Sequence, residues 1–384
     1  MKVDNASERS LLAPGDQAVS FAELFFDLVF VFCVTQVVHL LHGTFDLIHA
    51  GRALLVFWLV WWAWTQFTWA LNAADTTHSR VQVATLVATA FAFFMAVSIP
   101  KSFDNCSWWF GGFYVAVRSI GLLIYLWVTW SHTEMRTAVK TFGAFSVAGL
   151  LAVWIGGVLG GPWQYACWGL AILLDVLAAT IGGNNDGWNL HPSHFAERHG
   201  LFVIIALGET LIVAAGGASA ESWDGRLMIV AILAVGMTTA FWWMYFYKIK
   251  DQLEHHLAMA TGSQQSTMGR DMFSLFHYPM LCGLIVYAYA IGEAMLHPNE
   301  PLSSDARLAL ALGITLYSLS IVLAYWRATG IWKRLRILMT FVIAVLCMMI
   351  SDVQPAYTFS IVLAGLLVLC VLEWMEGPNL PTTH

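Results

Sequence analysis

The stretch FAELFFDLVFVF, Phe21 to Phe32, is one of the most apolar in the chain, yet it holds two acids, Glu23 and Asp27. Four residues make about one turn of an α-helix, so both carboxylates project from the same side of the predicted helix. The apolar run continues to about residue 42, long enough to cross about 30 Å of hydrocarbon. This stretch therefore predicts a membrane helix whose acids face protein rather than lipid.

The composition extends that prediction to the whole chain. Of 384 residues, 59% are hydrophobic and 11% are charged, whereas soluble domains contain about 25% charged residues. The apolar residues come in long runs, which excludes a soluble globular protein and makes the lipid bilayer the main partner. No basic patch is interleaved with aromatic residues, so no nucleic-acid partner is expected.

Twelve apolar runs are long enough to be spans, which predicts an all-α polytopic membrane protein of about twelve transmembrane helices. The predicted spans are 22–42, 52–73, 79–99, 108–130, 137–158, 162–183, 196–217, 226–248, 270–296, 304–326, 335–352 and 355–375. The links between them are short and contain Gly, Pro or Asn, and the longest polar link is 248–270.

Positive charges orient the predicted spans. With the N-terminus inside, thirteen Lys and Arg fall on cytoplasmic segments: Lys2, Arg9, Arg80, Arg136, Lys140, Arg198, Lys248, Lys250, Arg270, Arg327, Lys333, Arg334 and Arg336. Four fall outside: Arg52, Lys101, Arg226 and Arg307. Under the positive-inside rule, this asymmetry predicts that both termini are cytoplasmic.

The two halves of the chain resemble each other. FAELFFDLVFVFCVTQVV at Phe21 aligns without a gap with FAERHGLFVIIALGETLI at Phe195. Six spans in each half give both halves the same orientation, so we expect two parallel six-helix repeats, residues 1–190 and 191–384.

The same two motifs carry a family resemblance. ELFFDLVFVF near the N-terminus, with ERHGLFVIIALGET opening the second half, resembles the bacterial low-temperature-requirement A family over roughly residues 20 to 375. The resemblance implies a multi-pass protein of the bacterial plasma membrane, and the family name defines no molecular activity. The triplet Phe25-Phe26-Asp27 also resembles the F-S-D start of the pore helices of potassium-permeable channels, although the serine is absent and Leu201 replaces the aspartate in the second half.

Four charged residues fall well inside the predicted spans rather than near their ends. At about 1.5 Å per residue, Asp27 and Asp175 lie toward the cytoplasm, whereas Arg118 and Glu209 lie near the midplane. An ionised group at that depth costs about 3 kcal/mol, so each must be compensated or used. Three carboxylates against one arginine would attract protons or monovalent cations.

Structural roles compete with functional ones for these groups. Glu23 is expected to cap the start of its helix, and Arg118 to form a buried pair with Glu209 or Asp175. Asp27 is either a partner for Arg118 or part of a cation path. Glu209 is the main candidate proton carrier, because a desolvated carboxylate binds a proton more readily.

These residues suggest a cation- or proton-linked transporter or channel, with a polar cavity lined by helices 1 and 7. The cavity-lining candidates are Glu23, Thr35, Gln36, Glu197, Arg198 and Thr210.

The alternative function is binding of a lipid or hydrophobic ligand, or membrane enzyme chemistry, in a Trp-rich lateral groove. Its candidate aromatic wall consists of Trp61, Trp62, Trp242 and Trp243, for which plain packing is the competing interpretation. No catalytic, nucleotide-binding or metal-binding motif occurs in the chain, so no cofactor or metal is expected. The sequence leaves the oligomeric state open.

Overall fold

A computed structural model describes residues 11–15, 17–41, 46–183, 188, 190–220 and 225–376. Within these ranges the secondary structure is helical, apart from turns and one isolated β-bridge between Leu12 and Ala74. The predicted cytoplasmic placement of Lys2, Arg9 and both chain ends falls outside the described residues, as does most of the predicted link 182–187.

Fourteen α-helices occur in the described part of the chain. They are α1 (Phe21–His39), α2 (Leu47–Ala73), α3 (Ser79–Ser98), α4 (Ser107–Thr129), α5 (Thr133–Leu159), α6 (Gly161–Gly183), α7 (Pro192–Ala220), α8 (Gly225–Phe246), α9 (Ile249–Met259), α10 (Gly262–Gly269), α11 (His277–Leu296), α12 (Ser304–Thr329), α13 (Arg334–Met349) and α14 (Pro355–Met375). A short 3₁₀ turn follows α3 (Ile99–Lys101), and a π-helical segment (Arg270–Leu275) precedes α11.

The twelve predicted spans correspond to α1–α8 and α11–α14. Ten helical stretches among the described residues are long and apolar enough to cross a membrane. The two predicted spans outside those ten are α7 and α13. With 16 residues, α13 extends only about 24 Å, which is shorter than the hydrocarbon core.

The polar link 248–270 was expected to be a loop, and that expectation was wrong. It forms α9 and α10, because Ile249, Leu253 and Leu257 recur every four residues and bury one face of α9. Polarity argues against a membrane span but not against a helix.

The residues divide into two compact units by their mutual contacts. Unit 1 comprises Met1–Gln36, Leu55–Arg198 and Ala258–Arg270; unit 2 comprises Val37–Leu54, His199–Leu257 and Asp271–His384. In unit 1, α4 packs against α3 and α5, and α5 packs against α6. Gly160 and Gly161, both with positive φ, form the tight turn between α5 and α6.

In unit 2, α12 packs against α11 and α13, and α14 packs against α8 and α13. Helices α11 and α12 pack closely at Gly283. A Cβ on Gly283 would lie 2.7 Å from both the Gly313 oxygen and the Tyr317 nitrogen, so only a glycine fits there.

Candidate functional site

Unit 1 contains two buried groups of charged and polar side chains. The first, called the Arg198 cluster, consists of Glu23, Asp27, Trp64, His194 and Arg198. The second, called the Arg118 cluster, consists of Gln66, Tyr114, Arg118, Ser146 and Asp175. All ten side chains are almost completely shielded from solvent.

The first turn of α1 positions Glu23. Its Oε2 accepts hydrogen bonds from the Ser20 backbone N and from Ser20 Oγ, both at 2.9 Å, while Ser20 Oγ accepts from the Glu23 N at 3.4 Å. This reciprocal pattern is a capping box, and it fixes the carboxylate at the helix start. The other oxygen, Oε1, faces Arg198 Nη1 at 3.4 Å and His194 Nε2 at 3.1 Å.

Asp27 lies one turn further along α1 and is held by two donors. Its Oδ1 accepts from Trp64 Nε1 at 2.7 Å and from Arg198 Nη2. The Arg198 guanidinium also lies over the Trp64 ring, 5.5 Å from its centroid. One arginine in the second turn of α7 therefore contacts both acids of α1.

Asn72, near the end of α2, determines which nitrogen of His194 carries the proton. The Asn72 Oδ1 accepts a hydrogen bond from the His191 backbone N at 2.8 Å, which fixes the orientation of the amide. The amide nitrogen Nδ2 therefore lies 3.0 Å from both the His191 backbone carbonyl oxygen and His194 Nδ1. His194 Nδ1 is then an acceptor, and the ring proton is on Nε2, which points at Glu23.

The Arg198 cluster contains more carboxylates than guanidinium groups. Two carboxylates face one guanidinium inside unit 1, with the imidazole of His194 beside Glu23.

The Arg118 cluster is balanced instead. Arg118 Nη1 and Nη2 both donate to Asp175 Oδ1 at 3.2 Å. The remaining donors reach Tyr114 Oη at 2.7 Å, Gln66 Oε1 at 3.1 Å and Ser146 Oγ at 3.2 Å. One positive and one negative charge cancel, and every guanidinium nitrogen has a partner, as a structural ion pair requires.

Several predicted site residues have different surroundings from those expected. Asp27 was considered as a partner for Arg118, but it pairs with Arg198, while Arg118 pairs with Asp175. Arg198, a cavity-lining candidate that was also counted among the cytoplasmic positive charges, is completely buried in the second turn of α7. Glu197, its neighbour, is exposed.

The other cavity candidates are distributed over both units. Thr35 and Gln36 are half-buried on α1 in unit 1, and Thr35 Oγ1 donates to the Val31 oxygen at 3.4 Å. Glu209 and Thr210 are buried in unit 2, where Thr210 Oγ1 donates to the Leu207 oxygen at 2.7 Å.

The candidate aromatic wall is divided in the same way. Trp61 and Trp62 are buried in unit 1, where Trp61 stacks on Trp64 and Trp62 stacks on Trp58. In unit 2, Trp242 is 43% exposed on α8, and Trp243 is half-buried beside an apolar groove.

Sequence reasoning missed the contribution of α2. Trp64, Gln66 and Asn72 supply three of the polar contacts to the two clusters, and none was among the predicted site residues. The available signal was the presence of amide side chains within a strongly apolar helix, where each polar group needs a partner.

Three comparisons with known proteins bear on this chain. A family model described as "Bacterial low temperature requirement A protein (LtrA)" matches residues 18–372. A protein of Rhizobium meliloti (strain 1021), printed as "Uncharacterized protein RA0937", is 28% identical over 294 residues, which cover 73% of this chain and 70% of that protein. No solved structure is significantly similar to the chain.

Proposed function

The chain belongs to the bacterial low temperature requirement A (LtrA) family, and from that premise we propose that it is a proton- or monovalent-cation-linked transporter or channel whose ion site is the Arg198 cluster. The observation that carries the proposal is the arrangement of Glu23 and Asp27 around the single guanidinium of Arg198. The site lies between the first two turns of α1 and α7.

The excess of carboxylates over guanidinium groups in the Arg198 cluster supports a cationic ligand. A net negative charge in a low-dielectric interior is costly, so a proton or a small cation at the two carboxylates would stabilise the site. An anionic substrate would add a second negative charge, which the same argument disfavours. The Arg118 cluster is already neutral, so we assign it a structural role.

The network around His194 supports a carboxylate as the ion-binding group. A second proton on the imidazole would have to occupy Nδ1, where Asn72 already presents an N–H. Protonation of Glu23 or Asp27 requires no such rearrangement, and His194 Nε2 lies 3.1 Å from Glu23 Oε1.

We place this site on the cytoplasmic side of the bacterial plasma membrane. The excess of Lys and Arg on segments flanking the predicted inner ends of the spans supports that orientation, with both termini cytoplasmic. We retain the two parallel six-helix repeats as part of the proposal, supported by the gapless alignment of Phe21 with Phe195. Glu209, buried in α7 eleven residues beyond Arg198, is proposed as a deeper proton-binding group.

The test is ion flux into liposomes that contain the purified protein and a pH-sensitive dye, with Na⁺ or K⁺ gradients in parallel. We expect wild-type protein to move protons or a monovalent cation, and Asp27→Asn and Glu23→Gln each to reduce the flux at least tenfold. The matched control is Glu373→Gln, because Glu373 also pairs with a buried arginine, Arg336, at 2.6 Å.

Three results would count against the proposal. An absence of flux in wild-type liposomes would remove the transport function. Equal losses in Glu373→Gln and Asp27→Asn would show that any broken ion pair has this effect. A loss in Glu209→Gln with full flux in both α1 variants would move the site away from the Arg198 cluster.

A further inference from the structure

An apolar groove of about 600 Å³ lies between α8 and α14 in unit 2. Its lining includes Gly236, Ala240, Trp243, Leu363, Leu367 and Trp374. At Gly236 α8 packs closely on α14, because a Cβ there would lie 2.9 Å from Leu363 Cδ2. The apolar lining of the groove suits an acyl chain rather than a polar solute.

One wall of the groove leads directly to a lysine. Trp243 stacks on Tyr247 with ring centroids 4.3 Å apart, and Lys248 Nζ lies 4.9 Å from the Tyr247 centroid. Lys248 Nζ also donates to the backbone carbonyl oxygen of Glu373 at 3.1 Å, and Glu373 directly precedes the groove residue Trp374. An ammonium group is therefore held at the end of the groove where α8 ends.

A basic group extends from this lysine to the start of α13. Arg336 donates to both carboxylate oxygens of Glu373, at 2.7 and 2.6 Å, so this guanidinium is engaged by protein. Lys333 Nζ is 3.6 Å from Glu376 Oε2 and 4.9 Å from the Tyr325 centroid.

The charges of this group do not cancel. Lys248, Lys333 and Arg336 supply three positive charges, and Glu373 and Glu376 supply two negative ones, which leaves an excess of one. Each lysine ammonium has three donors. An anionic oxygen at this end would reduce the excess charge.

We propose that this groove and the basic group at its end form a binding site for an anionic phospholipid of the bilayer, with an acyl chain along α8 and α14 and the phosphate at Lys248 and Lys333. The argument is charge complementarity at the end of an apolar groove, because a basic pocket between membrane helices is suited to an anionic headgroup. The site is independent of the Arg198 cluster, so failure of either proposal leaves the other standing.

The experiment measures lipid retention by native mass spectrometry of the detergent-purified full chain. The probes are palmitoyl-oleoyl phosphatidylglycerol and the phosphatidylcholine with the same acyl chains, added at equal concentrations. A surface lysine contributes about fivefold to the binding of anionic lipid. We therefore expect Lys248→Gln/Lys333→Gln to lower the phosphatidylglycerol-to-phosphatidylcholine ratio by about 25-fold, and Lys333→Arg to preserve it.

A second variant tests the groove itself. Leu367 is half exposed in the groove, and Leu367→Trp fills the space, so we expect it to reduce retention of both lipids without changing their ratio. The controls are Leu123→Trp, in an apolar groove of about 470 Å³ in unit 1, and the exposed Arg80→Gln. Both controls should retain lipid as wild type does.

A double lysine variant whose lipid ratio stays within twofold of wild type would overturn the headgroup assignment. Unchanged retention in Leu367→Trp would overturn the assignment of the groove. If the double variant does not yield monodisperse protein, Lys333→Gln alone must lower the ratio about fivefold, and an unchanged ratio in that variant would refute the proposal.

Discussion

Arg198→Gln is the variant that most directly tests how the Arg198 cluster is stabilised. The guanidinium contacts Glu23 Oε1 at 3.4 Å and the Asp27 carboxylate, and all three side chains are buried. Removing it leaves two carboxylates without a cation. Breaking a buried ion pair by deleting one partner costs about 3–5 kcal/mol.

That cost converts to a measurable change in the unfolding temperature. An unfolding entropy of about 2 cal/mol/K per residue gives about 0.8 kcal/mol/K for 384 residues. We therefore expect Arg198→Gln to lower the Tm by about 4–6 °C in a fluorescence unfolding assay in detergent. Exposed Arg80→Gln is the control and should change the Tm by less than 1 °C.

A second substitution separates charge imbalance from lost packing. Asp27→Asn in the Arg198→Gln background removes one of the two orphaned charges, while the Asn oxygen still accepts from Trp64. We expect it to restore at least half of the lost Tm. If the double variant is no more stable than Arg198→Gln alone, electrostatic imbalance is not the cause, and the charge argument for the ion site fails with it.

Three further predictions concern stability and use the same unfolding assay. Gly283→Ala should destabilise the protein by about 1–3 kcal/mol, because its Cβ would meet backbone atoms of α12. The control Gly143→Ala, whose Cβ would have no atom within 4 Å, should be neutral or slightly stabilising. Equal effects of the two substitutions would refute the close packing of α11 and α12. Arg118→Met should lower the free energy of unfolding by about 3–5 kcal/mol, because it leaves Asp175 without its cation. The double variant Arg118→Met/Asp175→Leu should lower it much less, since an apolar pair replaces the ion pair without leaving a charge. A loss in the double variant as large as in the single one would contradict a structural role. Ser20→Ala should cost about 1 kcal/mol through loss of the capping box, and an unchanged Tm would show that Ser20 does not contribute.

The all-helical membrane architecture could be predicted from the apolar runs, because length and hydropathy depend only on local sequence. Ten helical stretches in the described part of the chain meet those criteria. The start of α7 was placed four residues too late, because Ser193 and His194 are polar, although Pro192 is a typical first helical residue.

The pairing of charges could be predicted only in part. Depth along a helix follows from residue number, and it placed Arg118 with Glu209 and Asp175 with Asp27, whereas the structure pairs Arg118 with Asp175, the other partner considered for it. Depth does not specify which helices are neighbours or which direction a side chain faces. Asp27 is therefore paired with Arg198 instead of Arg118, and the contributions of Trp64 and Asn72 could not be found from depth alone.

The amide of Asn72 has a consequence for how this region responds to movement. One side chain makes the hydrogen bonds to the peptide before Pro192 and to the imidazole of His194, so these bonds form or break together. If α2 shifts away, the start of α7 loses its anchor and the imidazole of His194 loses the contact that fixes its tautomer. Release of the helix start and reorientation of the His194 ring are thereby coupled into one event rather than two successive steps.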